Sequence, residues 1–249
     1  MITIKSPAEL EIMRDAGKIT ALAREEGSLM VKEGVTTRQI DKKIREVIAR
    51  HNATPSFLGY NGFPAAACVS VNEEVIHGIP SNRVLNAGDI VKIDVGAIYK
   101  GYQGDCAATI PVGNVAPETE KLIQVTKESF FKALEKAVTS NRIGDIGNAV
   151  EEYATRFGFS VVRDFVGHGI GRQMHEEPSI PNFGRPGHGV LLREGMTLAI
   201  EPMINQGTWK VRVLNDGWTV VTLDGKLSAH YENTVAITSN GPEILTVPA

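Results

Sequence analysis

Cysteine is nearly absent. Cys68 and Cys106 are the only two, which excludes a disulfide framework and points to a reducing, cytoplasmic setting. Long apolar runs are absent too: none approaches the roughly 20 residues a membrane helix needs. The opening Met-Ile-Thr-Ile-Lys-Ser-Pro lacks a charged-then-apolar leader and runs directly into a helix start. There is little excess of either charge, the formal net charge being −3, and nothing draws the chain to nucleic acid or an anionic membrane. There is no low-complexity segment. What remains is 249 residues, 42% hydrophobic and 22% charged, the make-up of an ordinary globular protein, read here as a single domain over residues 1–249.

Ser6-Pro7-Ala8-Glu9 is a capping box with proline at the first helical position. The helix it opens is predicted to run to about Lys32, with Ile12, Ile19, Leu22 and Leu29 buried, and Gly34 ends it. Thr37 is expected to cap a second helix whose apolar stripe is Ile40, Ile44, Val47 and Ile48. A loop of aromatic, Gly and Pro residues spans Thr54–Ala67, a short strand Cys68–Val71, and a further loop carries His77-Gly78-Ile79-Pro80. Pro117 opens another helix pair, about Glu118–Thr139 and Gly144–Phe157, with Gly158 as its stop. The order is helix pair, strands, helix pair, strands, which suggests two similar halves.

Ile93–Thr109 is the stretch around which the rest is organised. Two strand-like runs flank Tyr-Lys-Gly, a hairpin signal. A turn centred on Tyr99 and Lys100 places Asp94 opposite Asp105, with Cβ atoms about 5 Å apart. Two like charges that close need a cation between them, and no Lys or Arg shares their face. A divalent metal ion answers this; the plainer alternative is that both carboxylates face water. Further on come His168 between glycines, leaving room for a ligand; His175 in Met-His-Glu-Glu-Pro; Glu201 at the end of the apolar run Met196–Ile200; and Glu232 at the start of another. Singly, each is more readily a solvated strand end or a structural histidine. Together they supply one imidazole and four carboxylates beside apolar strands. Four negative charges are balanced by two divalent ions, and the donor set suits manganese, iron or cobalt better than a thiolate-type zinc site.

These segments closely resemble type I methionine aminopeptidases. Asp-Val-Gly-Ala…Gly-Asp, Gly-His-Gly-Ile-Gly, Glu-Pro and Tyr-Glu-Asn-Thr occur in order and at similar spacing over nearly the whole chain. The resemblance implies an α/β (α+β) pita-bread fold, two pseudo-symmetric halves with antiparallel sheet and flanking helix pairs. It implies that a dinuclear centre activates a hydroxide to attack the carbonyl of an N-terminal methionine, with a small second residue preferred. Asp94 is then a ligand of one metal, Asp105 and Glu232 bridge, and His168 and Glu201 hold the other, with Glu201 also accepting a proton. His77 is the substrate-contacting histidine and His175 steadies the oxyanion. By the same resemblance Phe57, Tyr60, Phe63, Cys68, Met174 and Trp218 form the methionine pocket, although members of the family often have cysteine, tyrosine and phenylalanine at 57, 63 and 174. Asn61, His51, His188 and His230 receive no role, His230 lying at most behind Glu232. Cys106 points away from Asp105.

Related proline-specific peptidases carry a sizeable N-terminal domain, and type II methionine enzymes a helical insert. Here only thirty residues separate Glu201 from Glu232, and the zinc-finger extension of eukaryotic type I enzymes is not seen, so the chain is bacterial in type. A non-catalytic nascent-chain adaptor on this fold is the rival of another class; adaptors lose metal ligands, and all five are present. The implied partners are N-termini of peptides and nascent proteins, met as a monomer, with no membrane and no specific nucleic-acid sequence. Lys210, Arg212 and Lys226 offer a ribosome-facing patch, or simply a solvated surface.

Overall fold

The computed structural model describes residues 2–248. Helix α1 spans Pro7–Ser28, and Ser6 and Glu9 cap it reciprocally, as the sequence predicts. It stops short of Lys32: Met30 and Val31 bond back three residues, to Gly27 and Ser28, and this tightened turn leaves Leu29 74% exposed rather than buried. Helix α2, Thr37–Arg50, is capped one residue earlier than expected, by Thr36 with Gln39 completing the box. Its stripe Ile40, Ile44, Val47 and Ile48 is buried.

Strands β1 (Thr54–Pro55), β2 (Ala67–Val71) and β3 (Glu74–Ile76) follow; β1 and β3 form inside segments predicted as loops. Strands β4 (Ile90–Tyr99) and β5 (Tyr102–Pro111) make the central hairpin. Lys100 and Gly101 both have positive φ, +47° and +79°, the mirror-image turn that matches strand twist and favours Gly second. The turn therefore centres on Lys100-Gly101, and Asp94 pairs with Ala107 while Asp105 pairs with Gly96. The expected register is off by two. A shift of two keeps side chains on the same face, so both aspartates still point the same way, as diagonal neighbours.

The second half repeats the plan. Helix α3, Pro117–Leu134, ends before Thr139 because Lys136 and Ala137 close three-residue turns. Helix α4 covers Ile143–Arg156, and Gly158 leaves it with φ +83°. The remaining strands are β6 (Ser160–Val161), β7 (Gly167–Gly169), β8 (Glu176–Ile180), β9 (Thr197–Ile200), β10 (Met203–Asn205), β11 (Val211–Val213), β12 (Val220–Thr222), β13 (Ser228–His230), β14 (Asn233–Thr238) and β15 (Gly241–Ile244). Strand β4 lies between β1 and β2 and also pairs with β5; β15, β14, β9, β7 and β8 form the larger sheet.

Each half has its own core. One packs α1 and α2 residues such as Ile19 and Ile44 against Val69, Val91 and Ile93. The other packs α3 and α4 residues such as Leu122, Phe130 and Val150 against Leu198, Ile200 and Val235. Helix α1 reaches both halves through glycine. A Cβ on Gly104 of β5 would stand 2.9 Å from Gly17 Cα, and one on Gly17 would collide with the Leu245 carbonyl.

A short seam joins the halves along β5. The Asp105 N–H donates to Thr234 Oγ1 at 2.9 Å, and that hydroxyl donates to the Asp105 carbonyl at 2.9 Å. Ala107 and Glu232 exchange backbone bonds at 3.3 and 2.9 Å. Thr109 and His230 repeat the threonine arrangement at 2.8 and 2.9 Å. Two threonine hydroxyls thus stand in for backbone partners where the sheets are too far apart to pair directly.

Candidate metal centre

Five chain segments converge at this seam. Asp94 and Asp105 come from the hairpin and His168 from β7. Glu201 directly follows β9 and Glu232 directly precedes β14, and in that ladder Asn233 pairs with Ile200, so the two glutamates are the next step along it. His168 Nε2 is 3.7 Å from Asp105 Oδ2 and 3.7 Å from Glu201 Oε1. Ligand atoms of Asp105, His168 and Glu232 lie within 4.8 Å of one another, as do those of Asp94, His230 and Glu232.

The electrostatics are those of a site built for cations. Asp94 Oδ1, Asp105 Oδ1 and Glu232 Oε1 are buried without a hydrogen-bond partner. Burial raises every carboxyl in the cluster: Asp94 up to about 7 and Glu201 up to about 8. Asp105 and Glu232 go well above the carboxylate range, burial being reinforced by Asp94 and Glu201 for the first and by Asp105 and Glu201 for the second. Burial also pushes His168 down to about 3, so it is uncharged at neutral pH and its short contacts are not ion pairs. Its Nδ1 meets the Gly169 carbonyl at 2.9 Å, and a carbonyl only accepts. The proton therefore sits on Nδ1, and the Nε2 lone pair faces Asp105 and Glu201. This tautomer and these unpaired oxygens fit divalent metal ions.

The glycines around His168 serve packing rather than ligand access. A Cβ on Gly167 would strike the Ala199 carbonyl and one on Gly169 the Glu177 carbonyl. Removing it lets β7 lie tightly against its neighbours.

A cavity of about 220 Å³ opens from the cluster. Phe57, Tyr60, Phe63, Cys68 and Trp218 line its apolar side as expected, with His77 and His175 toward the acidic side. Phe63 meets Trp218 edge to face, ring centres 5.1 Å apart. Met174 is not on the wall. It is buried behind Phe57, and both side chains crowd the space over Gly96, where a Cβ would stand 2.8 Å from Met174 Cε and 2.9 Å from Phe57 Cε1. Asn61, given no role by the sequence, is on the wall.

His175 lies tilted against His168, ring centres 4.3 Å apart and planes at 56°, and its Nδ1 is 2.7 Å from the Tyr60 hydroxyl. His77 sits in the left-handed region at φ +58°, a strained backbone for a non-glycine residue. It is held there because Gly78 is bonded to β2: its N–H donates to Ser70 Oγ and its carbonyl accepts from Val69, both at 2.9 Å. The imidazole packs edge-on to Phe165 and Trp218. Burial lowers His77 to about 4 and draws His175 down as well. Cys106 alternates to the far face of β5; burial pushes its thiol up to about 12, which excludes a reactive role.

Three further groups support the site, and sequence reasoning missed the first two. Thr234 fixes the Asp105 backbone. Asn182 Nδ2 donates to the Glu201 carbonyl at 2.9 Å. His230 Nε2 lies 3.5 Å from Glu201 Oε2 and 3.8 Å from Glu232 Oε2. Only the last had a signal, since a residue two before Glu232 on a strand shares its face.

The family model described as metallopeptidase family M24 matches residues 11–239. The chain belongs to metallopeptidase family M24. A methionine aminopeptidase of Clostridium acetobutylicum is 57% identical to this M24 chain over 99% of each. Methionine aminopeptidase 1 of Bacillus subtilis is 51% identical, again over 99% of each. The crystal structure of the Thermotoga maritima methionine aminopeptidase superposes with a TM-score of 0.97 at 48% identity, covering 99% of both chains. The fold is the M24 pita-bread fold, with two pseudo-symmetric halves as the sequence suggests. Its acidic and histidine cluster is compatible with the divalent metals of a metallopeptidase. Among the described residues no helix is long and apolar enough to cross a membrane.

Proposed function

We propose that this chain is a methionine aminopeptidase, one catalytic domain that removes the N-terminal methionine from peptides and nascent proteins when the second residue is small. The observation that carries it is the set of buried, unpartnered carboxylate oxygens at the floor of an aromatic-lined cavity. Methionine aminopeptidases alike in sequence over nearly the full chain support it.

Asp94, Asp105, His168, Glu201 and Glu232 hold two divalent ions, manganese, iron or cobalt rather than zinc. When bound, such ions polarise a peptide carbonyl and lower the pKa of water. The chain's own groups do the rest. Phe57, Tyr60, Phe63, Cys68 and Trp218 take the methionine side chain, whose thioether packs well against ring edges. Glu201, whose carboxyl burial raises to about 8, accepts the proton of the attacking water. The Tyr60 hydroxyl lies 2.7 Å from His175 Nδ1 and orients the ring; in the tautomer where the hydroxyl donates, the imidazole proton sits on Nε2 and can donate to the developing oxyanion. His77, neutral through burial and fixed by its backbone, contacts the substrate near the scissile amide.

Protein loaded in turn with manganese, iron and cobalt is expected to release methionine from Met-Ala-Ser and far more slowly from Met-Lys-Ser. No release under any of the three metals sinks the reading. His175→Ala and His77→Ala are each expected to lower kcat on the order of 10²–10³-fold, the usual cost of one oxyanion-type donor. Both variants should bind metal as the parent does, and calorimetry showing lost metal would reassign these histidines as ligands. The enzyme works in the cytoplasm as a monomer, and the exposed Lys210, Arg212 and Lys226 suit a face turned to the ribosome.

A further inference from the structure

We propose that His230 is a sixth ligand of the metal centre, giving a ring nitrogen to the ion that Asp94 and Glu232 hold. This rests on the five-residue centre above and adds to it a group the family pattern does not assign.

The backbone of His230 is pinned. It pairs with Met203 across β10 and β13, and Thr109 Oγ1 satisfies both its N–H, at 2.9 Å, and its carbonyl, at 2.8 Å. The side chain is 1% exposed, and neither Nδ1 nor Nε2 has a hydrogen-bond partner. A neutral imidazole carries one donor and one acceptor, and leaving either unsatisfied in the interior is destabilising. A histidine in such a place is kept for something it binds. Its Nε2 faces Glu201 and Glu232 at 3.5 and 3.8 Å. One of its nitrogens, an Asp94 oxygen and a Glu232 oxygen lie within 4.8 Å of one another. Three donors each about 2.1 Å from a common ion can all stand no more than about 3.6 Å apart, so closing onto one ion takes side-chain shifts of up to about an ångström. The triad has the same make-up as Asp105, His168 and Glu232 on the other side. Glu232 belongs to both, and each ion gains one imidazole. An imidazole in place of an all-oxygen set moves preference from manganese toward iron or cobalt.

Proton NMR of the dicobalt protein in water is the test. Each cobalt-bound imidazole keeps one N–H, and paramagnetism shifts that exchangeable signal far outside the normal envelope. Two such signals are expected, one lost in His230→Gln and the other in His168→Gln. Calorimetry on His230→Gln should show one of the two cobalt sites weakened at least about tenfold and the other unchanged. A single signal in the parent, with cobalt binding unaltered in His230→Gln, overturns the assignment and leaves the five-residue centre standing. No shifted imidazole signal at all removes the centre itself, and His230 with it. Should His230→Gln fail to fold, the signal count in the parent decides alone.

Discussion

Asp105→Asn is expected to destroy activity while making the metal-free protein more stable above pH 7. The two effects share one cause. Asp105 is buried beside Asp94 and Glu201, and its carboxyl is held well above the usual range by burial and by those neighbours. Asparagine has the same shape and no charge, and the backbone bonds to Thr234 do not involve the side chain. Without metal, the variant therefore avoids the cost of ionising a carboxyl in a crowded acidic pocket. The unfolded chain ionises this carboxyl freely while the fold resists it, so the variant is expected to melt above its parent at pH 8. With metal, the same change would remove an anionic oxygen from the proposed ligand set. Metal activation supplies several kcal/mol of transition-state stabilisation, and each 1.36 kcal/mol is tenfold, so kcat/KM should fall on the order of 10³-fold or more. Melting curves at pH 8 with chelator and peptide turnover with cobalt test both. A metal-free variant less stable than its parent would show that Asp105 is held in place by something other than an ion.

The gap in Tm between metal-loaded and metal-free protein should widen as pH rises from about 6.5 to about 8. A carboxyl raised in the fold contributes stability that is present at low pH and lost as pH passes its folded value. That value is about 7 for Asp94 and about 8 for Glu201, and higher than the ordinary range for Asp105 and Glu232. A histidine lowered in the fold acts oppositely: its contribution is present above about 6.5 and is lost on acidification, through about 4 for His77 and His230 and about 3 for His168. Below pH 6.5 the two groups offset each other in the metal-free chain. Above it the histidines are neutral in both states and only the carboxyls still titrate. Lys92, lowered by burial to about 7, works against them there, one group against four. The metal-free protein thus loses stability over this interval. The loaded protein does not share that loss, because its ligands are already deprotonated: tighter metal binding at higher pH offsets it, and the gap widens. Two net carboxyls amount to about 3 kcal/mol per pH unit, or about 6–11 °C in a chain of this size. A gap that stays constant or narrows toward pH 8, at fixed free metal, would mean that these side chains do not form one cluster.

Local chemistry was legible in the sequence, and tertiary closeness much less so. The caps Ser6 and Glu9 and the buried stripe of α2 need only neighbours three or four residues away, and the structure has them as the sequence predicts. Helix ends ran long at Lys32 and Thr139 because the tighter turns that replace the last helical bonds leave no residue-type signature. The hairpin was misregistered by two because the position of Gly101 in a mirror-image turn decides the pairing. Asp94 and Asp105 survived that error only because sheet faces repeat every two residues. The ligand set was recognisable from its motifs. That Met174 lies behind Phe57 depends on the crowding over Gly96, and that His230 turns both nitrogens to the interior depends on Thr109, 121 residues away. Neither is written in any local stretch.

The threonine-bridged seam also sets when the centre can exist. Its bonds join residues 121 to 129 positions apart, so each closes a loop of about half the chain. Closing such loops costs entropy that only completed packing on both sides repays, and contacts of this range form late. Asp94 and Asp105 are made and folded into their hairpin while Glu201 and Glu232 have yet to be synthesised. A half-made chain therefore has one aspartate on each strand of a hairpin and lacks the histidine and glutamates of the finished cluster. Metal is captured by the finished molecule rather than used as a template for it, and a new enzyme cannot process other nascent chains until nearly all of its own has been built.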